Sequence, residues 1–285
     1  MIKKIFYISF VSVMTALILS FGSVTSAAKF TLSGYDVPID VKLNGVYLNS
    51  SAKGYLGDDN VSYVPVEGLA TAMGAEILRD DNAGTLRVTR GKNEIVFNLA
   101  SSSCYANGNM SFAGLRNVDG KLYVPARFLA ENLGANVSWD SYRYEVIVSL
   151  PNYNVPQEYI ETYYNAEDLK WLSKIVTCEA GSVSFDAKIM VANVILNRRE
   201  SPSFPNTVYE VIYDNKFGIQ FPPAHNGKVA AAVPTTNTIL ACKVAFSGVM
   251  LVPECKYFSY TSDNFSWVYH NCTLYKVIGN QAFYK

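Results

Sequence analysis

The chain has 285 residues, 49% of them apolar, and its 24 basic side chains balance its 24 acidic side chains. This length and composition fill one or two ordinary globular cores. Because the chain lacks the excess of basic residues that is typical of nucleic-acid-binding proteins, we expect no nucleic-acid partner.

The N-terminus has the order of residues found in a secretory signal peptide. Lys3 and Lys4 precede the apolar run 5–21, and small residues continue to Ala28. We expect segment 1–28 to be cleaved, so that no stable membrane insertion remains. The alternative is an uncleaved membrane anchor, because the apolar run is at the short limit for spanning a bilayer. In either case the rest of the chain is predicted to be exported.

The cysteines are too few and too widely spaced for the disulfide framework of a small secreted domain. They are Cys104, Cys178, Cys242, Cys255 and Cys272. Cys255 and Cys272 lie in one strand-rich segment and are the best candidates for a disulfide, although two buried thiols fit the sequence equally well.

An internal repeat dominates the N-terminal half. The segment YVPVEGLATAMGAEILRDD, which begins at Tyr63, aligns without a gap with YVPARFLAENLGANVSWDS, which begins at Tyr123. Alternating apolar residues follow both segments, so each copy is predicted to form a strand, a short helix and further strands. The shared prolines are predicted to begin the helices, the shared glycines to end them, and Asp80 and Asp140 to begin turns.

This repeat resembles the stalk domain named after the N-terminal domain of copper amine oxidases. The resemblance implies a β-rich domain at 29–150 that acts as a spacer or a wall-binding module. A domain held together by packing alone, without a ligand, is the alternative. Copper is not implied, because neither histidine of the chain, His225 or His270, lies in this region.

Signals for helices follow a predicted linker at 151–164, which contains the turn-forming sequence PNYNVP. Asn165 is a candidate N-cap for a helix that ends at Gly181, and Ser184 is a candidate N-cap for a second helix through Arg199.

The remaining segments are predicted from their composition. KFGIQFPPAHNG is predicted to be a loop, TTNTILACKVAFSG a third helix that ends at Gly248, and the aromatic tail a set of strands joined by polar turns. Segment 165–285 is therefore predicted to be an α+β domain.

Glu179 is a candidate catalytic residue at the end of the first predicted helix. Leu172 and Ile175 lie seven and four residues before it, so its carboxyl group projects from the apolar face. Apolar neighbours and a helix C-terminus both raise a carboxyl pKa, as a general acid requires. From the helix pattern alone, a glutamate that points to water at a frayed helix end remains the alternative.

Cys178 is the other candidate, and as a nucleophile it would need His225 or His270 as a base and an orienting amide such as Asn226 or Asn271. A helix C-terminus raises a thiol pKa, so a buried, unreactive thiol is favoured. The sequence has no His-Glu-x-x-His motif, no zinc-finger cysteine pair, no Gly-x-Ser-x-Gly elbow and no phosphate loop. No metal or other cofactor is expected.

The C-terminal segment resembles the SleB-type cell-wall hydrolases, the spore cortex-lytic enzyme family. The resemblance is carried by EAGSVSFDAKIMVANVILNRRESPSFPNTVYEVI, by IQFPP and by the aromatic tail from Lys256 to Tyr284. It implies a lysozyme-like, lytic-transglycosylase-like α+β domain that acts on peptidoglycan glycan strands of the vegetative wall or the spore cortex. It also implies Glu179 as the single catalytic acid, which cleaves the bond between muramic acid and N-acetylglucosamine.

The same family has a Gln-Phe element that Gln220 and Phe221 match, and the resemblance implies that these residues orient the sugar or the catalytic carboxyl group. The aromatic tail adds side chains suited to stacking on sugar faces, namely Tyr257, Phe258, Tyr260 and Trp267. Arg198, at the end of the second helix, is interpreted as a structural residue beside the cleft.

The chain departs from the family at Ala180-Gly181-Ser182, where the family has Ala-Arg-Gly. The leading hypothesis is a secreted enzyme of the cell wall or spore envelope of a Gram-positive bacterium. Two alternatives stay open: a catalytically silent wall-binding scaffold, which the missing arginine favours, and a peptidase or amidase that depends on Cys178.

Overall fold

The structure is a computed structural model, and it describes residues 29, 31–101, 103–216 and 218–285. The predicted signal segment 1–28 lies outside the described residues. Within the described ranges, no helix is both long enough and apolar enough to cross a membrane.

The described chain is α+β, with a β-rich N-terminal region and a mainly helical C-terminal region, which confirms the predicted fold class. The strands are β1 (Thr31–Leu32), β2 (Tyr35–Asp36), β3 (Pro38–Leu43), β4 (Val46–Tyr47), β5 (Gly54–Leu56), β6 (Ser62–Pro65), β7 (Glu76–Asp80), β8 (Thr85–Arg90), β9 (Asn93–Asn98), β10 (Ser103–Ala106), β11 (Asn109–Phe112), β12 (Arg116–Val118), β13 (Lys121–Pro125), β14 (Asn136–Asp140), β15 (Glu145–Ser149), β16 (Tyr257–Tyr260), β17 (Leu274–Ile278) and β18 (Gln281–Tyr284). The helices are α1 (Val66–Ala72), α2 (Ala126–Asn132), α3 (Ala166–Ala180), α4 (Phe185–Arg199), α5 (Val208–Tyr213), α6 (Pro222–His225), α7 (Lys228–Ala231), α8 (Thr236–Phe246) and α9 (Trp267–Asn271), with a 3-10 helix at Gln157–Tyr159.

Each copy of the repeat folds as a strand, a short helix and a hairpin, as its sequence predicts. The copies are β6-α1-β7-β8 and β13-α2-β14-β15. β6 and β13 pair antiparallel with Val64 opposite Val124, so equivalent residues of the two copies meet across a local two-fold axis. Gly74 and Gly134 follow the helices with φ of 75° and 90°, a conformation that glycine adopts at low cost.

Two sheets and the two short helices enclose the N-terminal core. One sheet has the order β11-β10-β9-β8-β7, and the other has the order β12-β13-β6-β5-β3-β15-β14, with β4 also paired to β3. The core includes Leu69, Leu86, Leu129 and Val148, all of them fully buried. This region therefore has an apolar core of its own.

The C-terminal core lies among α3, α4, α5 and α8, and the sheet β16-β18-β17 contributes Phe283 to it. Asn165 begins α3 with a capping box, in which its side chain accepts the N–H groups of Glu167 and Asp168 while Asp168 accepts that of Asn165. Ser184 caps α4, as predicted.

Two local predictions were wrong. The predicted loop 216–227 contains α6, because Pro222 and Pro223 occupy a helical first turn, where their missing N–H groups cost nothing. The aromatic tail contains α9 between its strands, because the Ser266 side chain accepts the N–H of Tyr269 and caps a helical turn.

All five cysteines lie within the described residues and all are free thiols. Cys255 is buried in the C-terminal core and Cys272 is half-buried. The structure therefore has the two thiols rather than the candidate disulfide.

A cluster of buried charges joins the two regions. Asp40 on β3 lies opposite Glu145 on β15 in parallel register, and both are buried. Lys243 on α8 reaches them from the C-terminal region, with its Nζ 2.7 Å from Asp40 Oδ2 and 3.8 Å from Glu145 Oε1. Lys42 lies 2.8 Å from Glu145 Oε2. The four charges balance inside the interface.

The segment 151–164 lies along this interface. Tyr164 donates its hydroxyl to Asp40 and stacks on Phe246, with 4.4 Å between the ring centroids. Ile160 forms a β-bridge with Leu48 of the N-terminal region. The boundaries 29–150, 151–164 and 165–285 stay a prediction.

Candidate active site

Glu179 occupies the last turn of α3, and its Oε1 is buried with no hydrogen-bond partner among the described residues. Burial raises the pKa of Glu179 to about 7. The negative end of the helix dipole acts in the same direction. A carboxyl group in this setting is partly protonated near neutral pH, which is the state that a general acid requires.

Two contacts hold the end of this helix in place. Gln281 on β18 donates its Nε2 to the main-chain oxygen of Glu179 at 3.0 Å. Gly181 follows in a helical conformation, and a Cβ at that position would lie 2.5 Å from the carbonyl oxygen of Thr177, so a larger residue there would shift the helix end. The backbone around Glu179 is therefore tied to the C-terminal sheet.

A cleft of about 420 Å³ opens around Glu179. Six of the seven predicted site residues line it, namely Glu179, Gln220, Phe221, Tyr257, Phe258 and Tyr260. Trp267 lies outside it and lines an adjoining cavity of about 480 Å³, which shares Gln220 and Tyr257 with the cleft. The structure thus brings six of the predicted residues together from three separate segments, and their roles stay predictions.

The predicted aromatic residues differ in what they offer a ligand. Phe221 is only 1% exposed and packs near Phe258, so it forms a wall rather than a stacking surface. Tyr260 and Trp267 are 56% and 62% exposed and present open ring faces. Tyr257 contacts Trp267 edge-on, with 5.7 Å between the centroids.

Arg198 lines the cleft, although its sequence position suggested a structural role beside it. Its Nε donates to the carbonyl oxygen of Lys256 at 2.6 Å, and its Nη2 donates to Gln220 Oε1 at 3.2 Å. The guanidinium lies 5.1 to 5.3 Å from the rings of Phe204, Phe221 and Tyr257. Burial lowers the pKa of Arg198 to about 10, so the group stays charged at neutral pH.

Asp263 and Gln281 also line the cleft, and sequence reasoning missed both. Asp263 belongs to the polar segment TSDNFS, which has the composition of any surface turn, and Gln281 begins the last strand. Nothing in their local sequence distinguishes them. Only the packing of the C-terminal sheet against α3 shows that a second carboxylate lies in the cleft with Glu179.

Cys178 is half-buried and packs against the C-terminal core. Burial and the neighbouring Glu179 carboxylate both raise the pKa of its thiol. His225 and His270 lie against the rings of Tyr213 and Tyr269. A raised thiol pKa opposes the thiolate that a nucleophile needs.

The junction between the two regions holds another cavity, of about 520 Å³. Three of its four cations are paired with carboxylates, Lys42 with Glu145, Arg143 with Asp140, and Lys170 with Glu167, and the fourth, Lys174, donates to the main-chain oxygen of Ala230. In the part of the chain that the structure describes, no three His, Cys, Asp or Glu side chains are placed to hold a metal ion.

Comparison with known families finds two family models, whose matches overlap at residues 182–197. The copper amine oxidase N-terminal domain family matches residues 42–148 and 109–197, and the Cell Wall Hydrolase family matches residues 182–284. Residues 182–284 are therefore similar to the cell wall hydrolases, and this match supports a peptidoglycan-degrading enzyme. More particularly, the chain belongs to the proteins that carry a copper amine oxidase N-terminal-like domain, followed here by the hydrolase domain. Glu179 lies just before the first residue of the hydrolase match.

Two solved structures are similar to part of the chain. The catalytic domain of the Bacillus cereus SleB protein is 27% identical, with 43% of this chain and 92% of that chain covered and a TM-score of 0.39. The catalytic domain of the germination-specific lytic transglycosylase SleB from Bacillus anthracis is 26% identical, with 44% and 100% covered and a TM-score of 0.40. No curated protein matches the chain.

Proposed function

We propose that the C-terminal domain is a lytic transglycosylase, which cleaves the bond between N-acetylmuramic acid and N-acetylglucosamine with Glu179 as acid and then base. The observation that supports this best is a carboxyl group with a pKa of about 7 in a cleft with aromatic walls. Such a group can donate a proton and take one back within one turnover near neutral pH.

The reaction requires two proton transfers. The Glu179 carboxyl group first donates its proton to the glycosidic oxygen while the bond from that oxygen to C1 of muramic acid breaks. The carboxylate that remains then takes the proton of the muramic acid 6-hydroxyl, whose oxygen bonds to C1. The products are a free 4-hydroxyl group and a 1,6-anhydro ring, and Glu179 is protonated again.

The aromatic residues of the cleft support glycan binding. The open faces of Tyr260 in the cleft and of Trp267 in the adjoining cavity suit stacking on sugar rings. Gln220 accepts from Arg198 through its Oε1 and donates one N–H of Nε2 to the carbonyl oxygen of Gly218 at 3.4 Å, so the second N–H of Nε2 can donate to a ligand. The N-terminal domain then acts as a spacer or wall-binding module outside the membrane, in the wall or the spore envelope.

A second candidate is hydrolysis of the same bond, which Asp263 favours because it places a second carboxylate in the cleft. Hydrolytic glycosidases use a pair of carboxyl groups, one as acid and one as base or nucleophile. The two routes differ in their products, because hydrolysis adds a water that the anhydro ring lacks.

The decisive experiment digests vegetative peptidoglycan and spore cortex with the full chain and weighs the released muropeptides by mass spectrometry. We expect anhydro products, one water lighter than hydrolysed ones. Glu179→Gln should reduce the rate by about a hundredfold to ten-thousandfold, the usual contribution of a general acid. Digestion by Glu179→Gln at the wild-type rate would disprove the proposal.

Two variants serve as matched controls. Cys178→Ala changes the adjacent residue and should keep most of the activity, since the thiol packs rather than reacts. Its inactivity with the fold intact would favour the peptidase or amidase. Asp263→Asn separates the glycosidase routes, because the lytic route needs one carboxyl group and the hydrolytic route needs two.

A further inference from the structure

Three buried polar atoms in the cleft have no hydrogen-bond partner: Glu179 Oε1, Arg198 Nη1 and Gln281 Oε1. Across the described residues, only three other side-chain atoms share this condition. Two of these belong to Asp40 and Glu145 and lie beside lysine ammonium groups, and the third is a tyrosine hydroxyl in the N-terminal domain. Folded proteins pair nearly all buried polar atoms, so a group of unpaired ones in a cleft indicates a ligand.

The chemical character of two of these atoms is set by their neighbours. Arg198 is 3% exposed, and its Nε and Nη2 are engaged with Lys256 and Gln220, so Nη1 remains as a free donor. Gln281 is 2% exposed, and its Nε2 is engaged with the main-chain oxygen of Glu179, so Oε1 remains as a free acceptor. The cleft therefore offers one charged donor and one amide acceptor beside the catalytic carboxyl group.

We infer that Arg198 and Gln281 bind the 2-acetamido group of an amino sugar, with Nη1 donating to its carbonyl oxygen and Oε1 accepting from its N–H. An amide carries one acceptor and one donor, so a single group satisfies both unpaired atoms. Phe221 and Phe258 line the same cleft and give its methyl group an apolar wall. This inference rests on the proposed function, which makes a glycan strand the ligand.

A sugar with a 2-hydroxyl group and a sugar with a free amine both fit the Arg198 donor and the Gln281 acceptor less well than an N-acetylated sugar does. A 2-hydroxyl group lacks the carbonyl oxygen that a charged N–H prefers as its acceptor. A de-N-acetylated sugar carries an ammonium group, which the Arg198 guanidinium repels. Arg198 forms no ion pair with a carboxylate in the described ranges, and Asp214 acts on it only through a longer-range attraction. The site thus selects N-acetylated over hydroxylated or free-amine sugars.

The test measures binding of two β-1,4-linked tetrasaccharides to the full-length Glu179→Gln protein by calorimetry. Chitotetraose carries the acetamido groups, and cellotetraose carries hydroxyl groups in their place. We expect chitotetraose to bind about tenfold to a hundredfold more tightly, as expected when a buried charged donor is left unpaired. The glucosamine tetramer should bind no better than cellotetraose.

Adding Arg198→Met or Gln281→Met to the Glu179→Gln protein should reduce its preference for chitotetraose over cellotetraose by about tenfold. Arg199→Met is the matched control, because Arg199 is the next residue of α4 and is also buried but stacks on Tyr163 and Phe246, outside the cleft. It should leave the preference unchanged.

Equal affinity of the Glu179→Gln protein for the two tetrasaccharides would overturn the inference, whatever the folding of the Arg198 variant. A preference that survives both Arg198→Met and Gln281→Met would also overturn it. Failure of the proposed function is a separate result, because it appears as digestion of peptidoglycan by Glu179→Gln.

Discussion

Replacing Lys243 by methionine tests the buried charges that join the two regions. Methionine keeps most of the length and the apolar stem of lysine but removes the ammonium group between Asp40 and Glu145. These carboxylates are direct neighbours on adjacent strands, where like charges repel. Lys42 remains 2.8 Å from Glu145, so the carboxylate of Asp40 loses its nearest cation.

The expected loss in the free energy of unfolding follows from the burial of Asp40 and Lys243. Asp40 and Lys243 have fully buried side chains, and removing one partner of a buried ion pair costs about 3–5 kcal/mol because the other charge is left unpaired. For a protein of this size, that loss lowers the melting temperature by about 10 °C. Most of this loss of stability should be measurable at neutral pH.

The pH dependence gives a second signature. Burial alone raises the pKa of Asp40, but the ammonium group of Lys243 and the hydroxyl of Tyr164 more than offset this and hold it below its ordinary value of 3.8. This stabilisation is present above pH 3.8 and is lost as the pH falls through the lowered pKa of the folded state. The difference between wild type and Lys243→Met should therefore shrink in acid.

The assay is urea unfolding followed by circular dichroism, with Lys188→Met as the matched control. Lys188 is also a buried lysine of the C-terminal region, but its Nζ donates to the neutral side chain of Asn237. Its replacement should cost only about 1 kcal/mol. The double variant Asp40→Asn with Lys243→Met should recover part of the loss. If Lys243→Met is no less stable than Lys188→Met, or if the double variant loses still more, the buried pair does not stabilise the interface.

Two further predictions concern the C-terminal domain. The folded-state pKa of Glu179, about 7, lies above its unfolded value of 4.5, so its contribution to stability is present below pH 4.5 and is lost as the pH rises through 7. Glu179→Gln should therefore be more stable than wild type at pH 8, by up to about 3 kcal/mol, but not at pH 4; equal urea midpoints at pH 8 would contradict the raised pKa. The fragment 165–285 should melt below the full chain, because Val37, Tyr47 and Tyr164 belong to its apolar core; an unchanged melting temperature would show that the contacts between the regions add no stability.

The sequence alone predicted the features that depend on short-range interactions. The repeat, the helices after Pro65 and Pro125, and the N-cap at Asn165 were all predicted, because each signal involves residues only a few positions apart. The local helix pattern made Glu179 a candidate but left a glutamate that points to water as the alternative, and only the family resemblance implied its catalytic role. The local rules were wrong where short helices formed within segments that have the composition of loops, α6 at its two prolines and α9 at the Ser266 cap.

The tertiary structure decided which distant side chains meet. Arg198, Asp263 and Gln281 reach the Glu179 cleft from a helix, a loop and a strand, and their roles depend on which polar atoms remain unpaired after packing. Lys243 lies in the apolar second half of α8, and nothing near it in the sequence shows that it will neutralise a carboxylate on a strand of the other region. Burial sets the energy of a charge, and burial is a property of the packed chain rather than of any short segment.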